Sequence, residues 1–124
     1  MSNMTLSEAM KLGSMTGPQV FDGAFDFRTS GSCAMGSVAI ATGHRYCGAD
    51  GWKVIIDTFP ILRQRGLCPV ERCKSYPSTT VQSTIVHLND DHRWTREQIA
   101  DWIETLEKKQ NAVVEQPALI AVTV

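Results

Sequence analysis

Residues 80–106 read TVQSTIVHLNDDHRWTREQIADWIETL, a stretch that predicts two consecutive helices joined by a short turn. The second helix is the most strongly marked, because Thr95 is a suitable N-cap and Gln98 three residues later completes a capping box. Trp94 before the cap and Ile99 at the fourth helical position fit a hydrophobic staple. Apolar residues recur at helical spacing in both helices, and the side chains expected in their shared core are Ile85, Leu88, Trp94, Ile99, Trp102 and Ile103.

Three more helices are predicted upstream of this pair. Thr5 and Glu8 form a second capping box ahead of the first helix. The second helix of the chain is small and apolar nearly all round, and Ser30 or Ser32 is a suitable N-cap for it. The third helix carries an apolar stripe, so its Trp52 and Phe59 should pack near the core. The predicted ranges are 6–12, 33–42 and 51–59.

The fold expected from these elements is mainly α, with a small α+β fold as the alternative. We expect one domain over residues 1–124, with an N-terminal helical part at 1–65 and a zinc-binding helical part at 66–108. A knuckle should join the third and fourth helices, and the fourth and fifth should form a C-terminal helical hairpin. Residues 109–124 end in ALIAVTV, which is β-prone, so this tail is predicted to be a packed strand or a segment that pairs with a partner.

Length and composition exclude several classes of protein. The chain has 124 residues, of which 43% are hydrophobic and 20% charged, as expected for an ordinary globular domain. Its net charge of -1 lacks the basic excess of a generic nucleic-acid binder. No apolar run approaches the roughly 20 residues of a membrane span, and the start of the chain lacks the pattern of a signal peptide. We therefore expect a cytoplasmic location and no membrane partner.

Two cysteines and two histidines follow the spacing of a structural zinc site. The pattern is Cys68-x4-Cys73-x13-His87-x4-His92. Structural zinc takes four tetrahedral nitrogen and sulfur ligands, and both pairs and their interval suit such a site. Four protein ligands leave no position for water or substrate, so the pattern indicates a structural role for the metal. Ordinary thiols and unligated histidines are the alternative.

Residues 68–92 resemble a two-Cys, two-His zinc finger, with clear departures. Thr84 stands where that family usually has leucine, and Tyr76 only approximates the position of its aromatic residue. Residues 75–86 contain no Lys or Arg, whereas a DNA-reading finger places base-contacting side chains on this helix. The resemblance therefore supports the metal site better than it supports DNA recognition.

A closer resemblance covers about half the chain. The stretch IVHLNDDHRWTREQIADWIE is similar to a signature, HLNDxHxWxRxxIAxW, of small uncharacterised proteins from phages and bacterial prophages. The segment SCAMGSVAIATG resembles the middle part of the same proteins. This resemblance implies an accessory phage protein in the cytoplasm of a bacterial host, and it implies no reaction.

A basic concentration surrounds the first pair of predicted zinc ligands. Nearby acidic residues offset it, and mixed surface charge is common, so an ordinary solvated surface is the alternative. Arg96 and Lys53 are further candidates for contact with an anionic partner, with the same alternative. The residues that would contact a partner are Arg63, Arg65, Arg72, Lys74 and Arg93.

The remaining polar candidates have weaker patterns. Cys33, His44 and Cys47 could supply a second metal site or a thiol–imidazole pair, although packing is the simpler interpretation of Cys33. Asp90 and Asp91 could orient a metal-bound histidine. A turn between helices is the interpretation that the sequence favours for them, since Asp commonly serves turns.

Three functional hypotheses follow. The first is a zinc-stabilised protein-interaction module, a phage accessory protein that binds a host macromolecular complex, as an inhibitor of host defence such as an anti-CRISPR would. The second is a single-finger nucleic-acid-binding regulator. The third is a small thiol-dependent enzyme, which the absence of a catalytic motif disfavours.

Overall fold

The computed structural model describes residues 4–44, 48–73 and 80–123, and these form the mainly helical fold that the sequence predicts. A two-stranded antiparallel sheet pairs Phe25 with Ser32 and Asp26 with Gly31. A 3-10 helix, Pro60–Arg63, separates the third helix from the fourth. The elements are α1 (Leu6–Ser14), β1 (Phe25–Asp26), β2 (Gly31–Ser32), α2 (Ala34–Ala41), α3 (Ala49–Thr58), α4 (Val81–Asp90) and α5 (Arg96–Thr123).

Local capping signals place most of the helix starts. Thr5 and Glu8 make both bonds of the predicted capping box at α1, and Thr95 and Gln98 make both bonds of the box at α5. The prediction that Ser30 or Ser32 caps α2 is wrong. Ser32 is held in β2, so the cap moves to Cys33, whose sulfur accepts the backbone N–H of Gly36 at 3.3 Å.

The core lies where α1, α2 and α5 meet and continues into α3 and α4. The backbones of α1 and α2 approach closely, because a Cβ at Gly13 would overlap the carbonyl of Ser37. Trp94 and Trp102 were expected inside, but both are half-buried and pack against the outside of the core. The large side chains that are fully buried include Leu6, Met10, Val38, Ile55, Leu62, Ile85, Leu88, Ile99 and Ile103.

The connection between α4 and α5 turns at Arg93, whose φ of 55° lies in the left-handed region. The N–H of Trp94 then returns to the carbonyl of Leu88 at 3.0 Å. Both helices contribute to one core, and α5 also lies along α1.

The prediction of a β-prone tail over residues 109–124 is corrected by α5, which runs to Thr123. Residues 107–116 are mostly good helix formers, and extending an existing helix adds about one hydrogen bond for each residue fixed. Propagation from the capped start therefore outweighs the β-propensity of ALIAVTV, although Pro117 has no N–H to donate. No helix within the described residues is long and apolar enough to cross a membrane.

Two buried polar side chains anchor the loop between α1 and α2 to the C-terminal half. Asn89 accepts the backbone N–H of Ala34 at 3.0 Å and donates to the carbonyl of Val20 at 3.0 Å. Arg96 donates to the carbonyls of Gly17 and Ser32 at 2.7 and 3.2 Å. These bonds fix α4 and the start of α5 against the rest of the fold.

Candidate metal centre

Cys68, Cys73, His87 and His92 converge in space as their spacing predicts. Each offers one ligand atom, and these four atoms all lie within 4.8 Å of one another. His87 is buried, and the other three residues are half-buried. The cluster therefore could hold a metal ion. In the sequence, both cysteines precede α4, His87 lies within it and His92 follows it.

The two cysteines lie in the loop between the 3-10 helix and α4, and backbone contacts hold this loop to α4. The N–H of Val81 donates to the carbonyl of Gln64 at 2.8 Å, and the hydroxyl of Thr84 donates to the carbonyl of Gly66 at 2.5 Å. The leucine that a zinc finger usually carries at Thr84 could not make this second bond. The departure from the finger pattern thus has a structural role, because Thr84 links α4 to residues 64–73, the cysteine loop.

The turn between the cysteines is tight. The N–H of Cys73 donates to the carbonyl of Val70 at 3.2 Å, and Arg72 between them has a φ of 66°. Burial raises the pKa of the Cys68 thiol, and the neighbouring Cys73 adds to the rise, while the backbone N–H of Val70 acts in the opposite direction. The two sulfurs lie within 4.8 Å of each other, which is the geometric reason for this interaction.

The two histidines meet at the C-terminal end of α4. Their rings lie edge to face, with centroids 4.6 Å apart and an interplanar angle of 80°. Nε2 of His87 lies 3.3 Å from the sulfur of Cys73, and its Nδ1 lies 2.7 Å from a carboxylate oxygen of Asp91. Desolvation acts to lower the pKa of His87, but the bonds to Cys73 and Asp91 outweigh it, so this pKa is raised.

A tetrahedral metal ion fits the dimensions of the cluster. Zinc bonds of about 2.0–2.3 Å put neighbouring ligand atoms about 3.3–3.8 Å apart. The contact between Cys73 and His87 already has this length, and the widest separation, at most 4.8 Å, needs only a small contraction. Nε2 of His92 is buried without a hydrogen-bond partner among the described residues. An ion bound through that nitrogen would remove its desolvation cost of about 1–3 kcal/mol.

The basic residues predicted to contact a partner are exposed where the structure describes them. Arg63 pairs with Asp57 at 2.8 Å, and Arg93 lies over the ring of Phe21 with its guanidinium 4.2 Å from the centroid. Arg65 and Arg72 are exposed on the cysteine loop. Lys74 and the aromatic position at Tyr76 lie outside the described residues.

Two members of the second candidate constellation, Cys33 and His44, lie at opposite ends of α2. Cys33 precedes α2 and His44 follows it, and a helix of this length separates its ends by about 12 Å. Burial raises the pKa of the Cys33 thiol, which disfavours its reactive thiolate form. Cys47 lies outside the described residues.

The side chain of Asp91 contacts His87, which matches the histidine-orienting role that the sequence offered beside the turn it favoured. The sequence interpretation missed two structural roles. Arg96 was considered for an anionic partner, yet it is buried and donates to backbone carbonyls. Asn89 is of a residue type that commonly serves turns, yet its side chain is buried and bonds to the backbone of Val20 and Ala34. Only the i, i+4 spacing of His87 and Asp91 was a signal available in the sequence.

Comparison of the chain with known protein families, with curated proteins and with solved structures gives no match. Inferences about its function therefore rest on the geometry of the cluster and of the surface around it.

Proposed function

We propose that this chain is a zinc-stabilised protein-interaction module, an accessory protein of phage type that binds a host component. The observation that carries the proposal is the convergence of two thiols and two imidazoles at Cys68, Cys73, His87 and His92. Zinc is the metal that best suits a tetrahedral set of two sulfurs and two nitrogens.

A structural role for the ion follows from the donor set. Four protein ligands fill the coordination sphere, so no position remains for a reacting water or substrate. Structural zinc in finger-like sites contributes on the order of 10 kcal/mol of apparent binding free energy at neutral pH. The cysteine loop, which has no strand or helix of its own over residues 64–73, would depend on this contribution for its shape.

The cysteine loop also offers a surface suited to a protein partner. Leu67 is 55% exposed, and Arg65 and Arg72 are exposed on the same loop. Arginine is enriched at protein interfaces, and the buried centre of an interface is apolar. A net charge of -1 favours a protein over nucleic acid as the partner, and the resemblance of the HLND-containing stretch to phage proteins suggests a host component.

Partner capture with matched variants tests the proposal. The zinc-loaded chain is immobilised and exposed to bacterial lysate, alongside Leu67→Asp on the cysteine loop and Val54→Asp on α3. Both positions are about half exposed, so both variants should fold and keep zinc. We expect a protein complex to be captured by the unmodified chain and by the Val54 variant, and lost with the Leu67 variant.

Two outcomes would contradict the proposal. Capture that disappears with nuclease treatment and falls steeply with salt would favour a nucleic-acid-binding regulator instead, because such binding releases counterions. Absence of any captured protein that depends on Leu67 would refute the interaction surface.

A further inference from the structure

The two ring nitrogens of His87 point at different partners. Nε2 faces the cluster, 3.3 Å from the sulfur of Cys73, whereas Nδ1 lies 2.7 Å from Oδ2 of Asp91. A neutral imidazole has one N–H donor and one lone pair. If Nδ1 carries the hydrogen for Asp91, the lone pair of Nε2 is directed into the metal cluster.

The backbone brings Asp91 to this position. It is the C-cap residue of α4, and its N–H donates to the carbonyl of His87 at 2.9 Å. Residues four apart on a helix share one face, so the same backbone bond sets the two side chains together. A carboxylate at a helix C-terminus is opposed by the helix dipole, and the contact with His87 offsets this unfavourable effect.

The two histidines of the cluster differ in the hydrogen-bond partners of their ring nitrogens. The side chain of His87 is 1% exposed and has a carboxylate partner. Nε2 of His92 is buried without a hydrogen-bond partner in the part of the chain that the structure describes. Metal-bound histidines generally donate their second N–H to a carboxylate, carbonyl or water, which fixes the ring and raises its basicity. This arrangement is present at His87.

We propose that Asp91 is a positioning residue for metal binding, which holds His87 as the Nδ1-protonated tautomer with Nε2 directed at the metal. This inference rests on the proposed zinc site and deepens it. Asp91 itself does not bind the ion; its carboxylate reaches the metal only through the imidazole ring. Asp90, its neighbour, serves the fold instead and accepts the N–H of Asp22 at 2.9 Å.

Zinc affinity of four chains tests this role. Metal-free unmodified protein, Asp91→Ala, Asp91→Asn and Asp57→Ala are titrated with zinc against a chelating indicator. Asp91→Ala should bind zinc about 10- to 100-fold more weakly. Asp91→Asn should lose less, because its amide oxygen still accepts the Nδ1 hydrogen. Asp57→Ala removes an exposed carboxylate that pairs with Arg63 and should bind as the unmodified chain does.

A spectroscopic readout separates positioning from a general effect on folding. In the zinc-loaded unmodified chain, imidazole nitrogen NMR should show a slowly exchanging Nδ1 hydrogen on His87. It should persist in Asp91→Asn and exchange rapidly in Asp91→Ala. Should the alanine variant fail to fold, the asparagine variant decides, and loss of the Nδ1 signal there would overturn the role of Asp91.

The outcomes distinguish this proposal from the one on which it rests. Unchanged zinc affinity and an unchanged Nδ1 signal in Asp91→Ala would overturn the positioning role while leaving the zinc site intact. Absence of zinc binding by the unmodified chain would overturn both.

Discussion

Asn89 offers the sharpest test of how the two halves of the fold are held together. Its side chain is 1% exposed and makes four hydrogen bonds. Its oxygen accepts from Gln19 and Ala34, and its nitrogen donates to Val20 and Asp90, at 2.8–3.0 Å. Asn89→Ala removes all four and leaves the N–H of Ala34 buried without this partner.

The expected loss of stability follows from these bonds. Four bonds at about 0.5–1.5 kcal/mol each amount to about 2–6 kcal/mol, and the buried N–H adds a further cost, so Asn89→Ala should lower the free energy of unfolding by at least about 3 kcal/mol. That is a large fraction of the roughly 5–15 kcal/mol of a typical domain. Gln19 keeps one partner, the carbonyl of Trp94 at 2.7 Å, so its side chain adds little to the loss.

Urea denaturation followed by tryptophan fluorescence at saturating zinc measures the effect. Gln82→Ala is the control, since Gln82 is half-buried on the same helix and should change stability by no more than about 0.5 kcal/mol. A loss below about 1 kcal/mol for Asn89→Ala would refute the claim that this residue anchors the loop.

Three further predictions concern packing, thiol chemistry and pH. Gly13→Ala should destabilise the chain by about 1–3 kcal/mol or more through overlap with α2, whereas Gly23→Ala meets nothing within 4 Å; equal thermal midpoints for both variants would show that the helices do not pack this closely. Cys33 is buried whereas Cys68 is half-buried, so peptide mapping after alkylation of the metal-free chain at neutral pH should find Cys33 modified more slowly than Cys68; faster labelling of Cys33 would contradict its burial. In the metal-free chain the pKa of His87 is raised. His87 therefore stabilises the fold at pH values below the ordinary histidine pKa of about 6.5, and this stabilisation is lost as the pH rises through the folded-state pKa. With zinc bound the dependence should reverse, because acid protonates the ligands. Denaturation of the unmodified chain and of H87N at several pH values, with and without chelator, measures both contributions. An identical dependence of stability on pH in the metal-free and zinc-bound chains would contradict this reasoning.

Elements that depend on short spacing could be predicted from the sequence. The capping boxes at Thr5 and Thr95 join residues three apart, and the structure contains both. The mainly helical fold and the convergence of the four candidate ligands follow from the same kind of local information, because a turn and a helix bring each pair of ligands together.

Contacts between distant parts of the chain could not be predicted in this way. Arg96 donates to the carbonyl of Gly17, which is 79 positions away, and no spacing rule links them. An arginine in the first turn of an exposed-looking helix therefore suggested an anionic partner, whereas tertiary packing buries it. The cap of α2 moved to Cys33 for a related reason, because Ser32 is held by strand pairing.

Two ambiguities in the sequence are resolved by the structure. Asp91 fits both interpretations that the sequence offered, because it ends α4 through its backbone and contacts His87 through its side chain. Residues 109–124 combine helix formers with a β-prone end, and the preformed helix α5 decides between them. Sequence propensity alone does not decide between such alternatives, because it leaves out the effect of the adjoining structure.

The central claim is that the four converging residues hold one structural zinc ion. Elemental analysis of protein purified without added zinc, together with Cys68→Ser, tests it most directly. The account predicts one zinc per chain in the unmodified protein, and loss of both zinc and native circular dichroism in the variant. A chain that contains no zinc, with a variant whose spectrum is unaltered, would contradict the account.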